Sequence, residues 1–355
     1  MPNTFLIYGS YGYTGNLIAE HAVELGLHPL LAGRDETRLR AQAERLALEY
    51  RVIDLADTPA LESALRETGM VAHCACPFVL TFKQMAEACL RTGAHYLDIS
   101  GEIEGFEALA ALDSQAKAAG VMLLPGAGFD VVPSDCLAAH MKRRLPSATH
   151  LRIFIRSVGG GISNGTARSS IENMQRAGRI RRDGKITSVP PAWQVLERDF
   201  GRGPVRTVSI GWGDVSTAYH STGIPNVETY MALPDAAIRG LKIMRVIGPL
   251  LYNRPVKRLL QSLLRFRPAG PDEEHRKKGF SLMLGEVEDG RTTLQTKLRA
   301  PEGYQLTMLT ASAIAQRILG GDFKPGFQTP SRAYGADFIL EFPGVTREDL
   351  PMEAE

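Results

Sequence analysis

Thr4-Phe5-Leu6-Ile7-Tyr8-Gly9-Ser10-Tyr11-Gly12-Tyr13-Thr14-Gly15 is a short apolar run that breaks into three evenly spaced glycines. Phe5 to Tyr8 offer no polar face, the pattern of a parallel strand covered on both sides by helices. Gly9, Gly12 and Gly15 recur at every third position, the G-x-x-G-x-x-G variant of a dinucleotide-binding fingerprint. Gly9 is expected to turn the chain out of the strand, Gly12 to admit a pyrophosphate against bare backbone, and Gly15 to let the next helix lie close on the sheet. The N–H groups that open this helix would face the phosphates. Ser10, Tyr11, Tyr13 and Thr14 therefore join the three glycines as candidate cofactor contacts. Strand, glycine turn and amphipathic helix follow one another directly, which separates this reading from a strand-to-helix turn in some other open α/β sheet.

Outward from this segment the chain alternates strand and helix with short loops. Strands are predicted over residues 29–34, 50–55, 70–76, 95–99 and 121–124. Helices are predicted over about 14–25, from Glu36 with Leu39, Ala43, Leu46 and Ala47 on one face, over 60–67, 82–91 and 104–119, and from Pro133. Six strands with right-handed crossovers make a Rossmann doubly wound parallel sheet, an α/β domain with its ligand at the carboxyl ends of the strands. Strand two ends in Leu31-Ala32-Gly33-Arg34. NAD sites usually place an acid here for the ribose hydroxyl, whereas NADP sites offer an arginine to the 2′-phosphate. Arg34 can grip a phosphate bidentately, and Gly33 brings no carboxylate to repel it. Asp35 reads as the cap of the next helix, although a one-residue shift of the strand end would bring it to the ribose. NADP(H) is thus favoured over NAD(H). Asp54 and Ser100, at the ends of strands three and five, belong to the same rim.

Reduction of a carbonyl, imine or polarised alkene needs a proton donor near the nicotinamide. Asp98 and Glu102 flank Ser100 after strand five, and Asp130 follows strand six with Ser134 and Asp135. Helix capping and turn formation would account for Ser134 and Asp135 without catalysis. Tyr219 and His220 fall in the polar run from Ser216 to Thr222, read as a loop able to close over the cofactor, although a lone loop histidine is commonly just solvated.

The 355 residues suggest two domains, and 44% hydrophobic with 23% charged residues is a globular composition. A formal net charge of +2 gives no bulk reason for nucleic-acid binding, and no apolar run reaches the length of a membrane span. With a strand beginning at Thr4 and broken by glycines within six residues, no secretory leader is expected in this stretch. Cys74, Cys76, Cys89 and Cys136 lack paired C-x-x-C spacing, so reduced structural thiols and no metal are expected. The expected location is cytoplasmic, with any membrane association peripheral to the inner face.

The βα rhythm ends near residues 146–150, which marks a boundary between a first domain of residues 1–148 and a second, α+β domain of residues 149–302. Residues 151–158, 205–210, 227–233, 280–287 and 293–298 read as strands of a mixed or antiparallel sheet, the kind that often carries a homodimer contact. Gly161-Ile162-Ser163-Asn164-Gly165 satisfies G-x-S-x-G, with Asp214 and His220 following in the chain order of a serine hydrolase triad. That motif belongs within a central parallel sheet, so Ser163 reads better as a helix N-cap or part of an anion site. Residues 236–271 hold Arg239, Lys242, Arg245, Arg254, Lys257, Arg258, Arg265 and Arg267 and no acid, interleaved with leucines and broken at Pro249 and Pro255. Such composition suits a peripheral membrane or acyl-carrier contact, but the prolines and the even spread of charge favour a helical pair with buried leucines and solvated arginines.

Tyr11-Gly12-Tyr13-Thr14-Gly15, Ala32-Gly33-Arg34, Cys76-Pro77-Phe78, the segment from Tyr96 to Glu102 and the segment from Pro125 to Asp135 together resemble the saccharopine dehydrogenase-like NADP-binding family. Residues 223–228 and 325–335 are similar to its branch of bacterial oxidoreductase-like proteins and trans-acting enoyl reductases of lipid biosynthesis. The resemblance implies that Cys76, Pro77 and Phe78 lie beside the cofactor and that residues 303–340 complete the first domain. It also implies NADPH-linked reduction of a hydrophobic enoyl or keto substrate, either a small molecule or an acyl lipid. The alternative is a protein that binds the dinucleotide as a sensor or structural ligand without turnover. One departure is local: His73-Cys74-Ala75-Cys76-Pro77-Phe78 stands where relatives usually carry Asn-Cys-Ala-Gly-Pro-Phe.

Overall fold

In the computed structural model, which describes residues 4–173, 178–251, 262 and 269–351, the apolar run is β1 (Leu6–Tyr8), buried along its whole length. The alternation follows as α1 (Tyr13–Glu24), β2 (Leu30–Gly33), α2 (Glu36–Leu46), β3 (Tyr50–Val52), α3 (Thr58–Thr68), β4 (Met70–His73), α4 (Phe82–Thr92), β5 (His95–Asp98), α5 (Ile103–Ala110), α6 (Asp113–Ala118) and β6 (Met122–Leu124). The strands pair in parallel in the order β6-β5-β4-β1-β2-β3. The strand order therefore reverses between β1 and β4, the point where such sheets receive ligand. A seventh strand, Gly326–Phe327, adds in parallel to the outer edge of β6. The single helix predicted over residues 104–119 is broken into α5 and α6. The break brings Asp113 Oδ1 to the Phe327 amide, which donates to it at 2.9 Å and anchors the late strand. Leu6, Tyr8, Leu65, Val71, Met85, Tyr96, Leu123 and Phe327 belong to one buried cluster. These parts form one compact unit, Met1–Phe129 with Tyr304–Thr329.

The second unit is Asp130–Gly303 with Pro330–Glu355. It comprises α7 (Val132–Arg144), β7 (His150–Val158), α8 (Asn164–Asn173), β8 (Gly178–Arg182), β9 (Lys185–Val189), β10 (Val195–Asp199), β11 (Pro204–Ile210), α9 (Asp214–Thr222), β12 (Asn226–Ala232), α10 (Asp235–Leu251), β13 (Phe280–Glu288), β14 (Thr293–Pro301) and a last strand, Thr346–Asp349. The sheet runs β10-β11-β12-β7-β13-β14 and then Thr346–Asp349, with β8 on β12 and β9 on β8. Only β12 and β7 pair in parallel among these strands, which makes the sheet mixed. Helix α7 packs on β13 and β14, so the unit begins at Asp130, ahead of the change of rhythm near residues 146–150. The run from Ser216 to Thr222 lies inside α9 and is not a loop. Helix α10 continues through Pro249, where a break was expected.

A candidate dinucleotide site

Each glycine of the fingerprint has a physical reason to be there. Gly9 sits at φ +82°, in the left-handed region, and its N–H donates to Ala32 O at 2.8 Å as the chain leaves β1. A Cβ on Gly15 would lie 2.5 Å from Gly9 O, so this glycine lets α1 pack on the turn itself and not on the sheet. A Cβ on Gly12 would meet only Gly9 O, at 3.1 Å, with nothing else within 4 Å. Gly12 is also the N-cap of α1, with no side-chain capping bond and no acid in the first turn. The helix start thus presents its amide dipoles without a carboxylate to occupy them, which fits a pyrophosphate. Ser10 is fully buried and its carbonyl accepts from Gln42 Nε2 at 3.0 Å, so it shapes the loop from inside. Tyr13 packs edge-on against Tyr304 at 5.0 Å between centroids, and Thr14 is half-buried in the first turn.

The end of β2 carries more positive charge than its sequence signal. Arg34 is exposed, and Asp35 accepts the Arg38 amide at 3.1 Å, capping α2. The Asp35 carboxylate is therefore committed to a helix. Arg38, which the sequence reading missed, lies with its guanidinium carbon 4.6 Å from the Tyr11 ring centroid and donates to Tyr11 O at 2.8 Å. Its only signal in the sequence is a spacing of four from Arg34. An open depression of about 360 Å³ is lined by Tyr11, Asn16, Arg38, Ala41, Gln42 and Arg45. Asp54 is exposed and accepts from the Ala56 amide at 2.9 Å, closing the turn after β3. Beside it Tyr8 donates to Ile53 O at 3.1 Å, and burial pushes its phenol up to about 12.

After β4 and β5 the polar side chains hold loops together. Asp98 is buried and accepts from Tyr96 Oη at 2.6 Å, the Ser100 amide at 2.9 Å and the Gly126 amide at 2.8 Å. Burial raises its pKa, and these three donors work against the rise. Glu102 Oε2 accepts the Val79 amide at 2.5 Å, tying the loop after β5 to the turn that Phe78 opens. Ser100 is buried between them. His73 is fully buried, with Nε2 2.8 Å from Thr81 Oγ1, and burial lowers it to about 3, so the imidazole stays neutral. Phe78 stands edge-on to it at 5.5 Å. Cys74 and Cys76 are half-buried in the segment that leads to Pro77, where the strand predicted to reach residue 76 has already ended at His73.

In the second unit Asp130 O accepts from Trp212 Nε1 at 2.8 Å. Asp214 is fully buried at the start of α9, with no hydrogen-bond donor to either carboxylate oxygen among the described residues. Burial, with the charges of Asp135 and Asp130 adding to it, pushes its carboxyl up to about 8. The Ser134 hydroxyl beside it donates instead to Val131 O at 3.0 Å. Tyr219 lies under the Arg181 guanidinium, 4.1 Å from ring centroid to carbon, and Arg181 is itself pinned by bonds to Val215 O at 2.8 Å and Gly184 O at 2.7 Å. His220 is next to it on α9, half-buried. Ser163 Oγ accepts the Thr166 amide at 3.1 Å as a cap of α8, and the strand before it, β7, pairs antiparallel with β13, outside any central parallel sheet. Among the described residues no group of three His, Cys, Asp or Glu side chains could hold a metal ion, and no helix is long and apolar enough to cross a membrane. On α10, Ile238 is buried and Leu241 packs with it, whereas Arg239, Lys242 and Arg245 are exposed. Arg254, Lys257, Arg258, Arg265 and Arg267 lie outside the described residues.

Residues 5–124 match the model of the saccharopine dehydrogenase NADP binding domain. The chain is 24% identical to a saccharopine dehydrogenase-like oxidoreductase of Homo sapiens over 54% of this chain and 50% of that one. It is 25% identical to a lipid droplet localized protein of Caenorhabditis elegans over 55% and 54%. It is 31% identical to the trans-acting enoyl reductase of Mycobacterium leprae (strain TN) over 39% and 35%. The chain spans about half the length of the first two of these relatives. Apo saccharopine dehydrogenase (L-Glu forming) from Saccharomyces cerevisiae has the same fold, with a TM-score of 0.67 over 98% of this chain and 100% of that one at 12% identity.

Proposed function

From the match of residues 5–124 to the saccharopine dehydrogenase NADP binding domain and the likeness to saccharopine dehydrogenase-like oxidoreductases, we propose that the chain is an oxidoreductase of that family and an NADPH-linked reductase of a hydrophobic enoyl or keto substrate. The observation that carries the NADPH reading is an exposed Arg34 at the end of β2 and an Arg38 guanidinium stacked on Tyr11, with the Asp35 carboxylate between them in sequence committed to capping α2. The amides of the Gly9–Gly12 turn and the start of α1 hold the pyrophosphate, and the two arginines hold the 2′-phosphate. Bound there, the cofactor supplies a hydride. The enoyl or keto substrate rests on the likeness to the trans-acting enoyl reductase. Tyr219, His220 and Asp130 are the candidates for giving the proton.

NADPH is expected to bind more tightly than NADH in fluorescence titration. Arg34→Ala should weaken NADPH by roughly tenfold to a hundredfold, the equivalent of about 1.5 to 3 kcal/mol for a charge-assisted contact, and leave NADH nearly unchanged. Coincident titration curves for the two cofactors in the unmodified protein would sink the proposal.

The second reading, a dinucleotide sensor without turnover, is favoured by the engagement of Asp98 and Glu102 with loop amides. NADPH that binds and stays unoxidised across a panel of enoyl and keto substrates would select it.

An acyl-lipid substrate brings a surface with it, and we propose peripheral attachment to anionic lipid through residues 236–271, with a homodimer as the assembled form. The likeness to a lipid droplet localized protein and the exposure of Arg239, Lys242 and Arg245 support the attachment. Each such cation near an anionic surface is worth about 1 kcal/mol. Flotation with phosphatidylglycerol liposomes should recover the protein at low salt and lose it as salt rises, and replacing these three residues by glutamine should cut recovery without moving the melting temperature. A protein that never floats is not peripheral to such membranes.

A further inference from the structure

Tyr11 sits inside the glycine fingerprint at a position whose side chain the fingerprint does not specify, yet it ties three segments together. Its hydroxyl oxygen accepts the amide of Arg34 at 3.2 Å and the amide of Asp35 at 3.3 Å. Its ring occupies the space over Gly33, where an added Cβ would come within 2.5 Å of Cε1. Its carbonyl accepts from Arg38, whose guanidinium also lies over the ring. One residue of the pyrophosphate turn therefore fixes the backbone that carries Arg34 and the side chain of Arg38. Among the described residues the Arg38 guanidinium makes this one hydrogen bond, so its remaining N–H groups are free to meet an anion while the stack holds the plane still.

We propose that Tyr11 is a positioning residue for cofactor choice: its hydroxyl and ring hold Arg34 and Arg38 in the arrangement that takes a 2′-phosphate, so that preference for NADPH depends on a side chain two residues into the pyrophosphate turn. The inference rests on the NADPH reading above. A phenol oxygen can accept two N–H groups at once, which phenylalanine cannot. In Tyr11→Phe the ring and the stack remain, but the turn between β2 and α2 loses its tether. Arg34 then keeps its charge and loses its aim.

The test compares NADPH, NADH and 2′,5′-ADP in titrations of the full chain, with melting curves recorded beside them. Tyr11→Phe should weaken NADPH and 2′,5′-ADP by about fivefold and leave NADH within about twofold, the size expected for losing a neutral hydrogen bond that orients a charged group. In an Arg34→Ala, Arg38→Gln background the same change should cost nothing further, because the groups it positions are gone. Unmodified protein that fails to prefer NADPH overturns the NADPH reading itself. Protein that prefers NADPH, loses the preference with Arg34→Ala and keeps it with Tyr11→Phe overturns only the role of Tyr11. Equal weakening of NADPH and NADH by Tyr11→Phe, or a lowered melting temperature that accounts for it, overturns that role as well.

Discussion

Gly12→Val is expected to abolish binding of NADPH and NADH together while the protein still folds. Backbone φ −67° and ψ 162° at this residue is open to valine, and an added Cβ meets only Gly9 O at 3.1 Å, so the chain itself can accommodate the change with a small shift. The bound pyrophosphate cannot, because the new methyls stand in front of the helix start it would face. Two lost charge-assisted hydrogen bonds would remove about 3 to 6 kcal/mol, or roughly two to four orders of magnitude in affinity. Gly15→Val is the contrasting variant. Its Cβ would fall 2.5 Å from backbone oxygen, which no rotamer relieves, so the expected result is a lowered melting temperature from overpacking by about 1 to 3 kcal/mol. Titration and melting of the two variants side by side separate the roles, and a folded Gly12→Val protein that still binds either cofactor would show the turn to have been misread.

Asp214→Asn should make stability less dependent on pH and raise it in mild alkali. Burial, with Asp135 and Asp130 nearby, pushes the Asp214 carboxyl up to about 8 in the folded chain, whereas an unfolded aspartic acid titrates near about 3.9. Between these values the unfolded chain releases its proton and the folded chain keeps it. The unfolded state then binds fewer protons, so stability falls as pH rises from about 4 to about 8 and levels off above. Asparagine is neutral in both states and removes this fall. The two proteins should be similar near pH 4 to 5, and the asparagine variant more stable by about 2 to 5 kcal/mol near pH 8. Urea unfolding at both pH values reads the difference directly. A gap between the two proteins that does not change with pH would show that Asp214 is ionised when folded.

What could be read from the chain in advance was whatever is decided locally. The glycines of the first turn and the cap of Asp35 on Arg38 depend on neighbours within a few residues, and both are legible in the sequence. Arg38 over Tyr11 is a contact across 27 positions that no spacing announces. Helix α9 was hidden for a different reason. Its serines and threonines are poor helix formers, Ser221 Oγ even bonding back to Thr217 O at 3.0 Å, and the helix is held by burying Asp214 to Ala218. Strand β8 reads Gly-Arg-Ile-Arg-Arg with Ile180 and Arg181 as its buried residues, a pattern with no apolar face to detect. Helix α7 continues the βα rhythm, so only its packing reveals the unit it serves. Nor can a sequence tell a buried aspartate with three donors, such as Asp98, from one with none, such as Asp214.

The late strand Gly326–Phe327 sets an order of events during synthesis. Its partner Met122 emerges from the ribosome about two hundred residues earlier, so the loop to be closed spans nearly the whole second unit. Until then the outer edge of β6, Met122-Leu123-Leu124, is an unpaired apolar template of the kind that recruits other chains. A nascent chain arrested before residue 326 therefore carries the whole phosphate turn together with an open sheet edge.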